Sequence, residues 1–196
     1  MNFKTRNKLT VGLTGGILCG KSTALSVWKQ AGAYVVSCDE LVRQISARPA
    51  VQERIISALG VSTSTDLASK VFNSTSARRK LETILHPLVQ KEVTRCLKAA
   101  SADVRVVEVP LLFEAGWETY FDLTVALVST QKSLVARAKQ RGITQTDFVK
   151  RSKAQWPVAV KASRADICIL NHGSIKELSR KIQVLHHALC KIYNVK

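Results

Sequence analysis

An apolar run, LTVGL (9–13), breaks at paired glycines and gives way to a lysine with two hydroxyls: Gly15 and Gly16, then Gly20, Lys21, Ser22 and Thr23. The spacing Gly-x-x-x-x-Gly-Lys-Ser, with a strand-like run before it and a helical pattern after it, restricts the fold more than any other feature of the chain. Glycine lets the backbone curl so that successive N–H groups point inward. The helix that begins there adds the positive end of its dipole. Such a turn suits the phosphates of a nucleoside triphosphate. Lys21 can bridge the β- and γ-phosphates, Ser22 can offer its hydroxyl to Mg2+, and Thr23 can meet the α-phosphate. The motif alone says nothing of the reaction.

The rest of the chain agrees with a βα beginning. Near-continuous Val, Ile and Leu runs at 9–13, 33–36, 104–109, 123–128 and 166–170 predict five buried strands. Buried runs of this kind belong to a parallel sheet covered on both faces, an α/β arrangement in three layers. Helical patterns occupy 21–31, 38–46, 50–58, 77–99, 131–141, 145–154 and 175–193. Ser37-x-x-Glu40 and Ser174-x-x-Glu177 read as capping boxes. In the last helix Leu178, Ile182, Leu185, Leu189 and Ile192 form one apolar stripe expected to face the core. Between the second and third strands lie about 65 residues, far more than one crossover needs, so an insertion is expected there.

Composition narrows the setting. The 196 residues carry a formal charge of +16, which favours an anionic partner: nucleic acid, an acidic membrane surface or a polyphosphate. Five scattered cysteines show neither metal-ligand spacing nor a disulfide framework and fit a reducing, cytoplasmic setting. MNFKTRNK ahead of LTVGLTGGILCG has the outline of a leader peptide. Glycines break its apolar run, however, and Leu18 is too large to precede a lipoprotein cleavage site. No apolar run is long enough to span a membrane.

Three acids and a basic segment are candidates for the chemistry. Asp39 follows the second strand at the start of a helix, where it can accept a hydrogen bond from an acceptor hydroxyl and orient it. An ordinary helix-start aspartate is the plainer alternative. Glu108 closes the third strand, where a carboxylate can help to hold Mg2+. Glu114 fits a helix cap or a substrate contact equally well. Residues 137–164 carry eight Lys and Arg against Asp147 alone: a solvated face, or a lid that brings Arg141 and Arg151 to the phosphates. No helix-turn-helix, RNA-binding or zinc-finger signature supports nucleic acid as a partner. His86 precedes Pro87 in a helical pattern that the proline must kink or restart; His86 is a possible substrate contact.

Taken in order, GLTGGILCGKST, GAYVVSCDEL, RRKLETILHPLV, VVEVPLLFEAGWETYFD, RAKQRGIT, RSKAQWP and KASRADICILNHGSIKEL resemble the dephospho-coenzyme A kinase family over nearly the whole chain. The resemblance implies a P-loop, nucleoside-monophosphate-kinase-like fold. Its core would span about 1–40 and 103–196, with a helical coenzyme-binding insertion at about 40–102 and a lid at about 135–160. It implies ATP-dependent phosphorylation of the ribose 3′-hydroxyl of dephospho-coenzyme A, with Mg2+. Lys21, Asp39 and Arg141 would be catalytic. Gly15, Gly16, Leu18, Cys19, Gly20, Lys21, Ser22, Thr23, Arg151, Asn171 and Gly173 would hold ATP; Asp39, His86, Leu112 and Glu114 would meet the acceptor; Ser22 and Glu108 would hold the metal. The expected partners are the two small molecules, without nucleic acid or membrane, and the expected state is a monomer, with oligomers left open. The alternatives are another small-molecule kinase on the same fold and a basic nucleic-acid-binding protein that uses ATP as a ligand.

Two departures from the family pattern stand out. Leu18 and Cys19 occupy positions where GGIGSGKS is usual, and a leucine at positive φ costs about 1 kcal/mol or more. The segment GVSTSTDLASKVFN (60–73) is shortened and lacks an arginine usual near its middle. A thiol beside a helix start and Lys21 is also expected to have a lowered pKa, making Cys19 reactive to alkylation unless ATP shields it.

Overall fold

The computed structural model describes residues 2–4, 7–61 and 63–195. Five strands, β1 (Leu9–Gly15), β2 (Tyr34–Ser37), β3 (Val104–Glu108), β4 (Leu123–Val128) and β5 (Ile167–Leu170), form one all-parallel sheet in the order β2-β3-β1-β4-β5. Every residue of β1 and of β3 is buried, so both faces of the sheet are covered at its centre. The apolar run that imitates a leader is therefore the middle strand. Register places Glu108 beside Leu13 on one side and beside Ser37 on the other. The chain turns in opposite directions after β1 and after β3, which puts the end of β1 at a topological switch, the usual place for a ligand in such sheets.

Two units divide the chain. One gathers Met1–Ser37 and Ala99–Lys196; the other is Cys38–Lys98. The first holds the sheet with α1 (Lys21–Gln30), α6 (Gln131–Gln140), α7 (Gln145–Lys153), α8 (Val158–Arg164) and α9 (Ile175–Tyr193). The second is helical: α2 (Cys38–Ser46), α3 (Pro49–Leu59), α4 (Ser64–Asn73) and α5 (Thr75–Ala99, whose last residue falls beyond the boundary).

Several expectations need correction. Helix α5 does not restart at Pro87; it runs through it. A proline inside a helix costs about 3 kcal/mol, but Ile84, Leu85, Val89, Val93 and Leu97 are buried on both sides of it and hold the two halves in one helix. Ile192 is 74% exposed, not core. The buried face of α9 drifts round to Leu178, Ile182, His186 and Leu189, and the last turn continues past the core. Strand β5 lies at the sheet edge, so its residues alternate in exposure instead of being buried throughout. Helices α4 and α8 lie where no helix was expected. The first is short and polar, with Thr63 capping Asp66 N at 3.1 Å, and the second opens on a Val-Ala-Val run that reads as a strand. Ser174 caps α9 as expected, its hydroxyl accepting from Glu177 N at 3.2 Å, while the Glu177 carboxylate pairs with Lys181 at 3.0 Å; Ser37 Oγ instead donates to Glu108.

Candidate active site

The glycine turn leaves β1 at Gly15 and enters α1 at Lys21. Two glycines are required by their surroundings. Gly15 has φ 144° and a Cβ there would lie 2.5 Å from the Leu127 carbonyl oxygen; Gly20 has φ 98° and its Cβ would meet Asn171 Nδ2 at 2.5 Å. Leu18 also adopts positive φ, 61°, without being glycine. The leucine therefore carries the left-handed strain that the family pattern would avoid.

Side chains from distant parts of the chain hold this strained segment. Arg137 Nη1 donates to Leu18 O at 3.0 Å and to Ser129 Oγ at 2.9 Å, and its Nη2 donates to Asn171 O at 3.1 Å. Asn171 Nδ2 donates to Cys19 O at 2.9 Å. Asn171 thus stands behind the loop, its amide committed to loop backbone. Lys21 is only 9% exposed. Its ammonium donates to Gly16 O at 2.9 Å and to Gly15 O at 3.1 Å, which holds the charge within the curl and leaves one proton for another acceptor. Leu18, Gly20, Lys21, Ser22, Thr23 and Arg141 line one small cavity of about 50 Å3. The last residue of α6's neighbourhood, Arg141, thereby joins the loop across more than a hundred residues of sequence.

Cys19 does not behave as expected. It is fully buried, and burial pushes its thiol up despite the opposing pull of Lys21, of backbone N–H groups and of Arg137. Desolvation outweighs the nearby positive charge. The thiol is a packing group and the expectation of a reactive thiolate is withdrawn.

Glu108 is buried at the end of β3 and accepts from Ser37 Oγ at 2.9 Å. Its carboxylate and the exposed Ser22 hydroxyl are hard oxygen donors, the kind Mg2+ takes alongside phosphate oxygens and water. Among the described residues no group of three or more His, Cys, Asp or Glu is gathered for a metal.

The remaining candidates are distributed. Asp39 stands with Glu40 in the first turn of α2, and His86 is half-buried in α5; both belong to the helical unit. Leu112 is fully buried, its Cδ1 2.7 Å from where a Cβ on Gly12 would sit, so its side chain packs the core instead of facing a ligand. Glu114 pairs with Lys161 at 2.9 Å and accepts from Trp156 N at 2.8 Å. Lys161, counted above among the charges of a lid or solvated face, is neither: it is wholly buried and also reaches Pro110 O at 2.5 Å and Gln155 Oε1 at 3.3 Å. Burial lowers its pKa while Glu114 opposes that shift. Arg151 stands exposed in the last turn of α7, and Gly173 lies in the loop before α9. Sequence reasoning passed over Arg137 as a site residue, although its place four residues before Arg141 puts both on one helix face.

Comparison with known proteins follows the same lines. The family model for dephospho-CoA kinase matches residues 9–177. The chain is 34% identical over 188 residues to the dephospho-CoA kinase of Geobacillus kaustophilus, covering 89% of this chain and 93% of that one. A crystal structure of a Thermus thermophilus protein superimposes with a TM-score of 0.81 at 28% identity, over 94% of this chain and 99% of the other. The shikimate kinase of Acinetobacter baumannii shares the fold alone, with a TM-score of 0.56 at 13% identity over 92% and 94% of the two chains.

Proposed function

The chain belongs to the dephospho-CoA kinase family, and from that premise we propose that its glycine turn holds ATP while Asp39 orients the ribose 3′-hydroxyl of dephospho-coenzyme A. The enzyme is a kinase that phosphorylates dephospho-coenzyme A at the expense of ATP. In our reading the bond between the γ-phosphorus and its bridging oxygen breaks, a new bond forms to the 3′-oxygen, and the hydroxyl proton leaves toward Asp39. The products are coenzyme A and ADP.

The loop's part is electrostatic. Backbone N–H groups and the remaining proton of Lys21 meet the phosphate oxygens, and Arg141 reaches charge that spreads over the transferred group. Ser22 and Glu108 would hold Mg2+, which would supply positive charge beside the triphosphate. Asp39 needs little basicity, because a loose transition state rewards alignment of the acceptor more than early proton removal. His86 and Glu114 are proposed to border the acceptor, Arg151 to complete the cationic cover over the phosphates, and Gly173 to adjoin the adenine. Five cysteines that remain thiols fit a reducing compartment, and we place the enzyme in the cytoplasm.

The observation that carries this reading is the convergence of Lys21, Ser22, Thr23 and Arg141 on one cavity at the end of the central strand. An ADP-release assay with Mg-ATP tests it across dephospho-coenzyme A, adenosine monophosphate and other hydroxyl acceptors. Turnover with dephospho-coenzyme A is expected. Turnover with adenosine monophosphate and none with dephospho-coenzyme A would make the protein a different kinase on this fold.

A further inference from the structure

The strained leucine and the arginine that grips it belong together. Leu18 holds a left-handed backbone that costs a leucine free energy, and such a conformation persists only where its surroundings over-determine it. Three groups do so here. The Arg137 guanidinium serves Leu18 O, Ser129 Oγ and Asn171 O at once, Ser129 Oγ donates to Asn171 O at 2.6 Å, and Asn171 Nδ2 takes the next loop carbonyl, Cys19 O. A trans peptide points its N–H opposite its C=O. Fixing Cys19 O on Asn171 therefore aims the Gly20 N–H away from that amide, and fixing Leu18 O sets the plane before it.

Resting on the proposal that this loop holds the nucleotide's phosphates, we propose that Arg137 is a positioning residue: it pins Leu18 in the left-handed form that sets the loop the phosphates meet. Through one turn of α6 it also seats Arg141 in the cavity shared with Lys21 and Ser22. Arg137 itself acts on protein carbonyls and not on the nucleotide. A lysine cannot replace it, since one ammonium lacks the planar fork that reaches three acceptors in fixed directions.

The test is a double-mutant cycle on ADP affinity, read by calorimetry alongside KM and kcat. Wild-type binding of Mg-ADP is measured first; its absence would remove the loop reading itself and is thereby distinguished from failure of the Arg137 role. Arg137→Lys is expected to weaken ADP binding about tenfold or more, with KM for ATP rising in step. Adding Leu18→Gly, which adopts positive φ without strain, is expected to restore much of that loss, because the loop no longer needs the clamp. Arg137→Ala with and without Leu18→Gly repeats the cycle should the lysine variant fold poorly. Loss of kcat at unchanged ADP affinity, or a loss that Leu18→Gly leaves untouched, would put Arg137 directly on the reacting phosphate and overturn the proposal.

Discussion

Taken separately, the two units of this chain differ in the kinds of polar contact found inside each. In the sheet-bearing core, side chains reach across the sequence: Asn171 bonds the loop carbonyl of Cys19, 152 residues away, and Arg137 bonds that of Leu18, 119 residues away. In the helical insertion, several side chains bond close neighbours. Thr83 Oγ1 donates to Arg79 O, Thr94 Oγ1 to Gln90 O, and Arg95 to Glu92 one turn back. A longer link joins the exposed Arg48 to the part-buried Glu92 at 3.7 Å, a long and partly solvated ion pair of the sort that contributes little. Ile45, Ile55, Leu59, Val89 and Val93 are buried in this unit and supply its apolar packing. A loop that must fix several dipoles at once needs directional bonds from more than one element; a bundle of helices needs only apolar faces.

The largest expected effects divide along the same line. Lys21→Ala in the core removes an ammonium from the phosphates and should lower turnover by about 10^2–10^3-fold or more, while weakening nucleotide binding. Asp39→Asn in the insertion should lower kcat by about a hundredfold or more with ADP affinity unchanged. Steady-state kinetics and ADP calorimetry on both variants check this. If Asp39→Asn weakens ADP as strongly as Lys21→Ala does, the assignment of nucleotide to the core and acceptor to the insertion breaks. Near-normal turnover in Asp39→Asn would end its acceptor-orienting role.

Next comes stability. The wholly buried Lys161 pairs with the part-buried Glu114, and removing one partner strands the other charge. Lys161→Met should cost about 3–5 kcal/mol by denaturant unfolding. Arg48→Ala in the insertion should cost less than about 1 kcal/mol. Equal losses would mean that the insertion is held by directional bonds after all.

What could be seen in advance follows the same physics. The loop, its strand and its helix are contiguous, so Gly15 to Thr23 declare themselves by spacing alone. The strain at Leu18 was foreseeable because a leucine stood where glycine is usual. Arg137, Asn171 and Lys161 could not be assigned their contacts, since pattern carries no information about which carbonyl a guanidinium meets a hundred residues away. Lys161 in particular sits in a run of exposed cations and differs from them only in where α8 turns it. Cys19 failed for a related reason: Lys21 stands two residues away, but the strand-to-helix turn buries the thiol. Ile192 keeps the helical period yet lies beyond the end of what α9 covers.

The cysteines compare the units again, at smaller scale. Cys96 in α5 is half-buried and Cys19 is fully buried with its thiol pushed up. Under native conditions a thiol reagent should label the exposed Cys168 and then Cys96 before Cys19, at rates for Cys19 unaffected by Mg-ATP; peptide mass mapping reads the order. Early labelling of Cys19 with protection by Mg-ATP would restore the reactive thiolate and show the loop opening far more than its bonds suggest.

The smallest effect is an acid limb that belongs to the core. His186 lies buried on α9 where that helix packs against α1; its Nε2 is 3.7 Å from Cys190 Sγ. Burial, and after it the neighbouring charge of His187, lowers its pKa from the ordinary histidine value. A histidine with a lowered folded pKa stabilises the fold above its unfolded pKa of about 6.5, and that contribution is lost as pH falls toward the folded pKa, because the unfolded chain takes up the proton first. Thermal stability should therefore decline below about pH 6.5, and His186→Gln should flatten the decline. Hydrogen exchange followed over the same range should quicken in α1 and α9 before α5. Acid-induced exchange that begins in α5 would place the sensitive group in the insertion and not on α9.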